Sequence, residues 1–62
     1  MKNSGIIRFK DLDSDDEAFA LVRYDDAAVG LTLSLNSNGD IAVFMNKSDA
    51  RRLLAALKQA VE

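Results

Sequence analysis

Apolar residues alternate without a miss with small or polar ones along Val29-Gly30-Leu31-Thr32-Leu33-Ser34-Leu35. A strand covered on one side produces this period of two. Ile6 to Lys10 is short, β-branched and aromatic, and predicts a first strand; its cations, Arg8 and Lys10, suit an edge. Ala18 to Tyr24 predicts a second strand, although Ala, Leu and Glu make helix the competing reading of 16–23. Strand is preferred because hairpin neighbours are the commoner connection. Ile41 to Met45 completes the set as a fourth strand. A helix follows at once. Asn46 supplies its cap, Asp49 favours the positive end of its dipole, and Ala50, Leu53, Leu54, Leu57 and Val61 form one apolar stripe. The pattern predicts an α+β fold, a four-stranded antiparallel meander followed by one C-terminal amphipathic helix packed on one face, in one domain over 1–62.

Between the third and fourth strands, Asn38-Gly39 admits two hairpins. A two-residue loop would set Leu33 opposite Phe44 and divide the aliphatic residues between faces. A three-residue loop with a left-handed Gly39 sets Leu35 opposite Ile41, Leu33 opposite Val43 and Leu31 opposite Met45. The latter gathers the aliphatics on one side and is the expected register. It leaves Phe44 and Ala42 on the other side. The second strand adds Phe19 and Leu21 there, or else Ala18, Ala20, Val22 and Tyr24. One helix covers one face, so the second requires another partner.

Composition sharpens that requirement. A chain of 62 residues buries only about 60% of its unfolded surface. The absence of cysteine and histidine removes disulfides, thiolate zinc sites and imidazole ligands. Self-association is therefore expected, through a face made of Phe44, Ala42, Phe19 and Leu21, or by edge pairing of the uncharged strand Ile41 to Met45. Seven of the ten acids lie between Asp11 and Asp26, whereas Lys47, Arg51, Arg52 and Lys58 lie in the C-terminal segment. Such a distribution suits pairing with a second copy or with another protein. The N-terminal residues form no signal-peptide core and no stretch reaches a membrane span, which makes cytoplasmic the expectation and membrane insertion unexpected.

Chemistry-bearing motifs are few. Asp11-x-Asp13-x-Asp15 opens like a calcium loop, but Asp16 and Val22 occupy the positions that need glycine and glutamate, so no metal site is expected. Asn46-Lys47-Ser48 matches a glycosylation acceptor that the helix cap explains better. The three glycines form no phosphate loop. Serines, lysines and carboxylates without histidine or cysteine give no nucleophile signature, so no enzyme and no cofactor is expected. Arg8, Lys10, Arg23 and Tyr24 are the candidate contacts for single-stranded nucleic acid, with Phe9, Phe19 and Phe44 available for stacking. The order of four strands and a helix is similar to that of the PC4-like single-stranded-DNA-binding fold, in element order alone and with no matching motif. An acidic pI near 4.9 opposes this reading. The expectation is a homodimeric protein-interaction or regulatory module, with nucleic-acid binding the alternative.

Overall fold

The computed structural model describes residues 1–62. β1 (Lys2–Lys10), β2 (Glu17–Tyr24), β3 (Ala28–Leu35) and β4 (Gly39–Asn46) form one antiparallel sheet in the order β1-β2-β3-β4, and α1 (Lys47–Val61) follows. The ββββα layout is the one the periodicity predicts. β1 is longer than its apolar run, extending back to Lys2 with an irregularity between Asn3 and Gly5. Those residues have little strand preference of their own. They pair because the upper half of β2, Val22 to Tyr24, offers its backbone groups to them.

The β3–β4 hairpin turns through residues 36–38, with Gly39 at φ +80° and opposite Leu35. A hydrogen bond from the Asn38 N–H to the Leu35 carbonyl (3.2 Å) closes the turn. The left-handed glycine is as expected, but the register slides by two residues: Leu33 faces Ile41, Leu31 faces Val43 and Val29 faces Met45. Strand alternation fixes which face a residue occupies, and a slide of two leaves that unchanged. The aliphatic residues of both strands therefore share one side in either register.

The cap forms as the sequence predicts, with the Asn46 side chain accepting from the Asp49 N–H at 2.8 Å. No loop separates β4 from α1. The helix meets only β3 and β4, and residues 51–62 are all exposed. The expectation that α1 would cover one face is corrected here: its first turn packs and the rest extends past the sheet. A helix that starts on the residue after a strand lacks the few residues a reversal needs. No helix is long and apolar enough to cross a membrane.

Candidate interaction surface

The register sorts every strand residue onto one of two faces. One, the aliphatic face, carries Ile7 and Phe9 from β1, Ala18, Ala20, Val22 and Tyr24 from β2, Val29, Leu31, Leu33 and Leu35 from β3, and Ile41, Val43 and Met45 from β4. Lys2, at one end, is its one charged member. The other, the mixed face, carries Ile6, Phe19, Leu21, Ala42 and Phe44 among Arg8, Lys10, Glu17, Arg23, Thr32, Ser34 and Asp40. The β2–β3 turn makes this choice, which the sequence left open, by setting Tyr24 opposite Val29.

Neither face is covered. Ala18 and Gly30 are the two buried residues in the chain. On the aliphatic face Ile7, Phe9, Leu33, Ile41 and Val43 are exposed, and on the helix so are Leu53, Leu54, Leu57 and Val61. The aliphatic face is also concave. Phe9 from one edge strand and Ile41 from the other line an open depression of about 370 Å³, with Ala18, Leu33 and Leu35 of this face beside Phe19, Ser34 and Asp40 of the other. At the opposite end the Lys47 ammonium stands 5.6 Å from the centroid of the Tyr24 ring.

On the mixed face Phe44 lies across Gly30, its cross-strand partner. A Cβ at Gly30 would sit 2.8 Å from the ring, so a larger residue there would push the ring aside. The Arg23 guanidinium stands 5.9 Å from the same ring, and its Nε is buried without a hydrogen-bond partner. Phe44 nevertheless remains 61% exposed.

The structure thus brings Phe44, Ala42, Phe19 and Leu21 together on the mixed face. Arg8, Lys10 and Arg23 share that face, but Tyr24 lies on the opposite one and joins no surface with them. The signal that the sequence reading passed over is the missing β4–α1 linker. Met45 closes the apolar run and Asn46 already caps the helix, so the helix has no room to turn back.

The acidic connection is organised by hydrogen bonds within the chain. Asp11 Oδ2 accepts from the Ser14 N–H (3.0 Å) and hydroxyl (2.7 Å), and Lys10 Nζ stands 3.9 Å from Asp15. Asp16 accepts from the hydroxyl and N–H of Ser37, tying this connection to the β3–β4 turn. The Ser37 hydroxyl, then its N–H, holds the Asp16 carboxyl below the usual carboxylate range. Asp25 accepts from the N–H groups of Ala27 and Ala28, both at 2.9 Å, and these lower its pKa likewise.

No protein-family model matches the chain, and comparison with curated proteins and with solved structures gives no significant match.

Proposed function

We propose that this chain is a protein-interaction module, not an enzyme, whose working unit is a homodimer. One observation carries the reading. The chain exposes 4988 Å², whereas a compact protein of its mass exposes roughly 3,950 Å². The excess is about 1,000 Å² per copy, and two copies that removed it would bury about 2,000 Å² in total. Stable interfaces have that size. The fraction of unfolded surface removed within one chain is about half, below the roughly 60% that small independent domains reach. Disulfides cannot make up the difference, since the chain has no cysteine. Light scattering at micromolar concentration tests the reading directly: a particle of twice the chain mass supports it, and a monomer at high micromolar concentration refutes it.

A second reading has its own observation. Arg8, Lys10 and Arg23 share the mixed face with Phe19 and Phe44, and the Arg23 Nε has no partner within the chain. Cations interleaved with aromatic rings suit single-stranded nucleic acid. Glu17 and Asp40 on the same face work against it. A labelled oligonucleotide held with affinity that falls steeply as salt rises would favour this reading, and no binding at low salt would end it.

A further inference from the structure

We infer that the helix of each chain lies in the concave aliphatic face of a second copy, so that two chains exchange α1 reciprocally. The inference rests on the homodimer reading and specifies its geometry. It starts from the junction. β4 ends at Asn46 and α1 begins at Lys47, so the helix is carried outward beyond the sheet and, past its first turn, Leu54, Leu57 and Val61 of its apolar stripe stay exposed. The aliphatic face is likewise left with Ile7, Phe9, Leu33, Ile41 and Val43 exposed. Each surface is what the other lacks, and the junction prevents them from meeting within one chain.

A second copy fits both. Fifteen residues give a helix of about 22 Å, while four strands at about 4.8 Å spacing place the outer strand axes about 14 Å apart. The helix is therefore long enough to cross the whole sheet. The open depression between Phe9 and Ile41 gives side chains of the stripe a place to enter. Charge is complementary as well. Arg51 and Lys58 make no ion pair within the chain, and Asp11 to Asp16 form an acidic connection at the end of the sheet remote from the helix start. Packing the two helices on each other alone would leave both aliphatic faces in water. Packing the mixed faces together would bury Arg8, Arg23, Glu17 and Asp40 while still exposing the aliphatic face. Reciprocal exchange covers stripe and trough in both copies and closes with two-fold symmetry.

The test uses the unmodified chain. Isotope-labelled and unlabelled protein are unfolded, mixed and refolded, and intermolecular NOEs are collected beside light scattering of the same sample. Contacts between methyls of Leu53, Leu54, Leu57 or Val61 in one chain and those of Leu31, Leu33, Ile41 or Val43 in the other are expected. A dimer whose intermolecular contacts run from Phe44, Phe19 and Leu21, or only between helices, overturns the exchange and leaves the homodimer standing. A dimer whose helix methyls touch only their own sheet overturns it too. A monomeric sample overturns the homodimer reading itself.

Discussion

Leu54→Glu separates a lone chain from an exchanged dimer, because the two cases assign it opposite costs. Leu54 lies in the middle of α1 and is 66% exposed. In a lone chain the substitution removes little packing. Leucine and glutamate have similar helix preference, and a glutamate four residues before Lys58 contributes about 0.3 kcal/mol. The net change should stay within about 0.5 kcal/mol, as for other surface positions. In the exchanged dimer the same leucine sits on the partner's aliphatic face. Losing its burial costs about 1 to 2 kcal/mol, and a carboxylate placed against apolar side chains costs at least about 2 more. Two copies per dimer bring the loss to about 6 kcal/mol, or about four decades in Kd. Sedimentation velocity across a concentration series reads this directly. Ile6→Glu, at a half-exposed position on the mixed face that the exchange leaves in water, is the matched control and should leave association unchanged. A Leu54→Glu protein that dimerises with unaltered affinity would refute the placement of α1 in the interface.

Two further outcomes test the local structure. Gly39→Ala should destabilise the protein by about 1 to 2 kcal/mol through the left-handed backbone alone, since a Cβ there meets nothing within 4 Å; chemical denaturation showing no loss would contradict the left-handed Gly39 of the hairpin. Asp16 and Asp25 both titrate below the ordinary value of 3.8 in the folded chain. Their contribution is thus present above the unfolded pKa and is lost as pH falls through the lowered one. Asp25→Asn should flatten the acid side of the stability profile below about pH 4, and an unchanged profile would show that the turn does not depend on the carboxylate.

Much of this architecture is legible in the residues, and the parts that are not share a cause. β3 and β4 announce themselves by alternation, because each has a face that must avoid water. Asn46 is readable as a cap because its side chain acts on a backbone group three residues away. Residues 2–5 carry no such pattern; they are strand because β2 needs a neighbour, and that is information held by the partner strand. The two-residue slide in the β3–β4 register escapes for a related reason: both registers satisfy the same faces, and the local geometry of residues 36–39 decides between them. The face assignment of β2 likewise waits on the β2–β3 turn. The candidate surface is half legible. Phe44, Ala42, Phe19 and Leu21 do share a face, and the periodicity of α1 shows a stripe. Periodicity cannot say what the stripe touches, however, and the missing linker is a signal carried by spacing and not by composition.

The central claim is that a second copy completes the fold, and the dependence of the melting temperature on protein concentration tests it most directly. A chain that folds alone melts at one temperature whatever its concentration. Folding coupled to dimerisation gains about 2.7 kcal/mol over a hundredfold increase in concentration. With an unfolding entropy of about 2.1 cal/mol/K per residue over two chains, that gain corresponds to a rise of about 10 °C. Scans from 1 to 100 μM, taken as roughly that hundredfold range, should show this rise in Tm as one cooperative transition. A Tm that stays constant across the range would contradict the account.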